Sequence, residues 1–405
     1  MGIRMLNVLA WGFNGSGQLG DGTNTNSNVP VTVNGLTNVV AIAGGGAHSL
    51  ALLSDGTVHA WGLNSAGQLG DGTNTSSNVP VTVSGLTNVI AIAAGGAHSL
   101  ALLSDGTVHA WGLNSAGQLG DGTNTSSNVP VTVSGLTNVI AIAAGGAHSL
   151  ALLSDGTVRA WGNNFSGQLG DGTNTNSNIP VTVNGLTNVI AIAGEANHSL
   201  ALLSDGTVRA WGRNIEGQLG DGTNTSSNVP VTVSGLTNVI AIAGGVNHSL
   251  ALLSDGTVRA WGFNGSGQLG DGTNISSNVP VTVSGLTNVI AIAGGGNHSL
   301  ALLSDGTVRA WGRNIEGQLG DGTNTNSNIP VTVSGLTNVI AIAGGGAYSL
   351  ALLSDGTVRA WGSNFLGQLG DGTNTSSNVP VTVSGLTNAI AIAAGESHSL
   401  AIEIQ

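Results

Sequence analysis

The chain has 405 residues, 40% hydrophobic but only 3% aromatic and 7% charged, and it contains no cysteine, which excludes disulfides, thiolate metal sites and cysteine nucleophiles. Eight arginines, no lysine and twenty acidic residues give a net charge of −12. That balance supplies no cationic face for nucleic acid or for an anionic membrane surface, and no apolar run is long enough to span a bilayer.

Residues 1–7 are too short for a secretory leader, and strand-like sequence starts at once. Trp-Gly then recurs every 50 residues, at Trp11, Trp61, Trp111, Trp161, Trp211, Trp261, Trp311 and Trp361, and residues 51–100 are identical to 101–150. A period of this size marks an array of one supersecondary unit. In the unit spanning residues 39–83, a β-rich run at 39–43 ends in Gly44-Gly45-Gly46. A second run covers 49–53 and closes in Ser54-Asp55-Gly56, where Asp-Gly is the strongest short hairpin signal. A third run covers 57–61. A long polar loop, 62–78, leads to a fourth run at 79–83. No stretch has helical periodicity. Four short strands in a meander make a propeller blade. The first run alternates Ala with Ile or Val, which suits a crowded axis. The fourth holds all eight prolines of the chain, which belong on an edge strand. The runs are therefore strands A to D, with A innermost.

The chain opens on a strand C (8–11) and a strand D (29–33), and closes on a strand A (389–392) and a strand B (399–402). Together the ends complete one blade. The expectation is an all-β fold, a single closed β-propeller domain over 1–405, with eight four-stranded blades and the last closed by two strands from each terminus. A monomer is expected.

The units differ at two patches. After Trp-Gly the residues read Phe13-Asn14-Gly15-Ser16, Asn163-Asn164-Phe165-Ser166, Arg213-Asn214-Ile215-Glu216, Phe263-Asn264-Gly265-Ser266, Arg313-Asn314-Ile315-Glu316 and Ser363-Asn364-Phe365-Leu366. The second patch precedes the histidine of strand B, as in Glu195-Ala196-Asn197 and Gly245-Val246-Asn247. In an up-and-down blade the C–D and A–B loops emerge at one end. The B–C turn and D–A link emerge at the other, where Ser-Asp-Gly-Thr and Gly-Leu-Thr-Asn do not vary between units. The candidate binding face is thus the variable end, with Phe13, Phe165, Arg213, Ile215, Phe263, Arg313, Ile315, Tyr348 and Phe365 as its contact residues. Aromatic residues and arginine are types that interfaces favour.

Motifs that suggest other chemistry have blander explanations. His48, His98, His148, His198, His248, His298 and His398, with Tyr348 in the eighth place, would sit too far apart to share a metal ion, so each is expected to bond nearby backbone. Gly15-Ser16-Gly17-Gln18-Leu19-Gly20 matches a dinucleotide fingerprint but lacks the following helix. Asp21-Gly22-Thr23-Asn24 does not have calcium-loop spacing and reads as a turn. No catalytic residue, metal or cofactor is expected.

Residues 148–172 run His-Ser-Leu-Ala-Leu-Leu-Ser-Asp-Gly-Thr-Val-Arg-Ala-Trp-Gly, then Asn164 and Gly-Gln-Leu-Gly-Asp-Gly. This string resembles the regulator of chromosome condensation repeat, over essentially all of residues 8–402. The resemblance implies a propeller, although the best-known members have seven blades. It also implies nucleotide exchange in one member, photoreception in another and protein inhibition in a third. The basic tail and insertion of the first and the clustered Trp and Arg of the second are absent from this chain. The third works by loops on one face, which this chain has. The reading is a non-enzymatic binding scaffold for a protein partner. The alternative is a repetitive structural scaffold, amplified or engineered from one blade, with no dedicated ligand.

Overall fold

The computed structural model describes residues 5–405. They form eight four-stranded antiparallel sheets, with no helix among the described residues. Blade 1 consists of strand A, Val39–Gly44, strand B, His48–Leu53, strand C, Val58–Gly62, and strand D, Ser77–Thr82, hydrogen-bonded in that order. Blades 2 to 7 repeat it, with strand A starting at residues 89, 139, 189, 239, 289 and 339. Blade 8 takes strands A and B from Ala389–Ala394 and His398–Ile404, and strands C and D from Leu6–Gly12 and Ser27–Thr32. The two chain ends pair from Leu6 opposite Ile404 to Gly12 opposite His398. The ring is an eight-bladed propeller closed in the expected way.

Strand alternation explains the packing. Successive side chains point to opposite faces of a sheet, and here each face meets a different neighbouring blade. Leu50 and Leu52 join Val58, Ala60 and Trp111 between blades 1 and 2. Ala51 and Trp61, from the same two strands, join Val8, Leu19 and Leu400 between blades 8 and 1. Every junction repeats this cluster with one fully buried tryptophan. Glycine is needed where the C–D loop passes this ring: a Cβ on Gly20, at φ +69°, would lie 2.9 Å from Trp61 Cδ1 and 2.8 Å from Val33.

The invariant end is stapled. Asp55 Oδ1 accepts from the Thr57 amide at 3.0 Å and from its hydroxyl at 2.6 Å, an Asx turn that leaves Gly56 at φ +82°. The Gly56 carbonyl then accepts from Val89 N of the next blade at 3.0 Å. A Cβ on Gly56 would strike Asn88, itself held left-handed at φ 61°. Turn and link therefore lock together across blades, which explains why neither sequence changes.

Candidate functional site

Under the variable end runs a ring of hydrogen bonds that ties the blades to one another. His48 Nε2 lies 2.9 Å from Ser99 Oγ of the next blade. The Ser99 hydroxyl donates to the Gln68 carbonyl at 3.1 Å, and Trp111 Nε1 donates to the same oxygen at 2.9 Å. With the serine proton committed to Gln68, the histidine must be the donor, so Nε2 carries the hydrogen. Nδ1 is left without a partner in His48, His98, His148, His198, His248 and His298. The relay continues from His98 to Ser149 at 3.0 Å and returns from His398 to Ser49 at 3.2 Å. The histidines bond the next blade's serine rather than nearby backbone, which corrects the expectation from sequence. Burial depresses them: His48, His148, His198 and His298 fall to about 3, and His98, His248 and His398 to about 4. Neutral, sealed from solvent and spent on the relay, they are rivets.

Tyr348 fills the eighth place of this ring. Its hydroxyl donates to the His398 carbonyl at 2.6 Å and accepts from Ser399 Oγ at 3.1 Å, and the residue is 0% exposed. The first residue of strand B points into the blade junction, so Tyr348 cannot touch a partner. Its place on the candidate face is withdrawn.

The C–D loop is a rigid platform. Asn64, fully buried, donates through Nδ2 to the Thr73 and Thr75 carbonyls at 2.9 and 3.1 Å, while its Oδ1 accepts from Leu69 N at 2.9 Å. The Leu63 amide donates to the Ala47 carbonyl at 2.9 Å, which joins the C–D loop to the A–B loop at one end of the blade. The invariant asparagine holds the loop, and its neighbours on either side can change without disturbing it. The residue after it projects outward. There Phe165 is 75% and Phe365 69% exposed, with Ile215 and Ile315 also exposed. Arg213 and Arg313 are partly buried on the other side of the asparagine. Phe13 and Phe263 are partly buried as well: each ring folds over the glycine two residues on, where a Cβ would lie 2.5 Å from Cζ.

Two exposed residues of this end were not among the sequence candidates: Val246 in an A–B loop and Ile275 in a C–D loop. With them, a pattern emerges. The exposed large apolar residues of the variable loops are Phe165, Ile215, Val246, Ile275, Ile315 and Phe365, in blades 3, 4, 5, 5, 6 and 7. The variable loops of blades 8, 1 and 2 have none. The A–B loops also ring an axial cavity of about 580 Å³, lined by Glu195 and Glu396 among glycines.

The opposite end has an apolar feature of its own. The second residue of every strand A, from Val40 and Ile90 round to Ile340 and Ile390, is 46–57% exposed. A bulge between the residues on either side, Val89 and Ala91 in blade 2, turns that side chain out of the junction. The result is an aliphatic annulus around the axis.

Fold and loops together define a closed β-propeller of tandem repeats with its variable side chains collected at one end. The chain belongs to the regulator of chromosome condensation family: the RCC1-like domain matches residues 126–405, and the RCC1 repeat matches residues 7–52 and 55–102, with a second repeat description at 39–68 and 89–118. Among solved structures, Prp20p of Saccharomyces cerevisiae is similar at TM-score 0.71 and 23% identity, covering 100% of this chain and 93% of that one. Human WBSCR16 is similar at TM-score 0.70 and 24% identity, covering 98% of each chain. At such identities the likeness is one of fold. No curated protein matches by sequence.

Proposed function

We propose that the chain is a non-enzymatic binding scaffold that docks a protein partner on the loops of blades 3 to 7. The observation that carries this reading is the arc of exposed Phe, Ile and Val just described. Solvent-exposed aromatic and aliphatic side chains cost solubility unless something covers them, and here they occupy consecutive blades on a loop platform that can carry them without strain. The yeast relative is described as binding Gsp1p and histones, and in a second structure it is bound to Kap60, so proteins are the ligands this fold is known to take there. The −12 charge and the absence of lysine point away from nucleic acid.

Once a partner is isolated, Phe165→Ala with Arg213→Ala, on adjacent blades, is expected to weaken it by about 1–4 kcal/mol. Phe263→Ala with Arg313→Ala is expected to do less, because the Phe263 ring is already packed on Gly265. The melting temperature should not change with either pair. Undiminished binding by both pairs would remove the reading. A second reading is favoured by the aliphatic annulus at the invariant end, which offers a partner eight equivalent contacts. Changes such as Ile90→Ser with Ile140→Ser would weaken a partner docked there and leave one docked on the loops untouched.

A further inference from the structure

The first residue of the A–B loop is glycine in seven blades, as at Gly45, and the reason is steric: a Cβ there would run into the ring of His48. Blade 4 alone breaks the rule, with Glu195. Its side chain leaves the crowded loop and reaches inward across blade 5, where its carboxylate occupies the space that a Cβ on Gly244 would take. Blades 2, 3 and 8 have alanine at the position of Gly244; blade 5 does not, and the carboxylate uses the gap. Glu396, the other acidic residue of the cavity lining, comes from blade 8, with its Cγ 3.2 Å from where a Cβ on Gly346 of blade 7 would lie. Between them lie the glycine backbone of the loops and the small apolar surfaces of Val246 and Ala394, in a cavity of about 580 Å³. That volume is within the range of small-molecule sites.

We propose that this axial mouth binds a small organic cation, an ammonium or guanidinium group with an aliphatic stem, held by the carboxylates of Glu195 and Glu396 in its lining. Among the described residues, no arginine or histidine side chain lines the cavity to neutralise either carboxylate. A metal ion is the poorer fit, since no group of three or more acidic or histidine side chains among the described residues could hold one. An elongated dication answers two separated carboxylates with an apolar middle. The cation is either free or carried on a lysine of a docking protein.

The site has a pH signature. Desolvation against the glycines of blade 5 raises the Glu195 carboxyl to about 8, although the residue as a whole keeps part of its surface in solvent. Glu396 is the other titratable group in the lining, and His198 and His248, behind the loops, stay neutral far below this range. A cation must ionise Glu195 in order to pair with it, so binding strengthens as pH rises through about 8 and releases a proton below that. This proposal goes beyond protein docking on the outer loops and does not depend on it.

The test is titration calorimetry with 1,5-diaminopentane and with a glycine-rich peptide holding one central lysine, at pH 6 and pH 9 in low salt. Saturable binding at least tenfold tighter at pH 9 is expected, with both amines still protonated. The tighter of the two probes identifies the source of the cation. Glu195→Gly restores the residue of the other seven blades and so keeps the fold; it should cost tenfold or more at pH 9 and abolish the pH dependence. Glu396→Gln should weaken binding but leave that dependence in place. No saturable binding of either probe at pH 9, or equal affinity in Glu195→Gly, overturns the proposal. Either failure leaves the loop-docking reading standing, since Phe165 and Arg213 lie outside this cavity.

Discussion

At the scale of single residues, the buried histidines make the ring sensitive to acid. Their folded pKa values, about 3 to 4, lie below the ordinary 6.5. The folded protein refuses protons that the unfolded chain accepts, so stability is intact above pH 6.5 and falls as pH drops from there toward 4. Each such histidine removes about 1.4 kcal/mol per pH unit. Seven of them act in the same direction, so the loss between pH 6.5 and 5 is a large fraction of the roughly 5–15 kcal/mol that holds a typical domain together. Cooperative unfolding near pH 5 is expected, followed by circular dichroism. His148→Tyr, which copies the chemistry that Tyr348 already supplies, should shift the midpoint to lower pH. A melting temperature that is flat from pH 7.5 to 5 would contradict the relay. Trp161 is fully buried, with Nε1 bonded to the Gln118 carbonyl at 2.9 Å. Trp161→Ala should cost about 3–5 kcal/mol, read as a lower denaturation midpoint in urea, and an unchanged midpoint would place the ring outside the core.

The relay is also where sequence reading stopped short. His and Ser are adjacent in seven of the eight units, and adjacent strand residues face opposite ways, so no pairing within one unit is visible. The partner of His48 is Ser99, 51 residues on: the interaction belongs to the gap between units. Tyr348 belongs to the same gap: it stands at the variable end of its blade, but as the first residue of strand B it faces the junction and is fully buried. Asn14 and its copies looked like one constant letter in a variable patch. In the structure that constancy is what permits the variation.

At the scale of the strand and the blade, the sequence was far more legible. The Asp-Gly turns, the prolines confined to strand D and the complementary half-blades at the two ends each have a local physical meaning, and all three point to the same ring. The bulge in strand A is the exception. The pattern Val-Ile-Ala-Ile-Ala reads as simple alternation, yet the bulge between Val89 and Ala91 turns Ile90 and its seven counterparts outward. Closure of the ring has a direct consequence. Removing residues 1–33 strips strands C and D from blade 8 and opens the edge of its strand B, a template for pairing with other chains. Size-exclusion chromatography should then show aggregates or swapped dimers. A monomer as stable as the parent would refute closure by both ends.

For the whole molecule, the decisive property is that its two ends differ. One is an invariant staple of Asx turns and inter-blade bonds with an aliphatic ring at the axis. The other is a set of rigid loops whose exposed apolar side chains fill an arc of five blades around an acidic mouth. The sequence located the variable end but not the arc, because exposure at Phe165 and partial packing at Phe13 and Phe263 depend on the residue that follows the buried asparagine. It could not reveal that Glu195 and Glu396 line one axial mouth, which exists only once eight blades have closed. The measurement that bears most directly on the central claim is amide hydrogen exchange of the protein with and without a captured protein partner. Slowed exchange should fall on the A–B and C–D loops of blades 3 to 7, around Phe165, Ile215, Val246, Ile315 and Phe365, with the Ser-Asp-Gly turns unchanged. Protection confined to those turns and to the strand A residues beside Ile90 and Ile140 would contradict it.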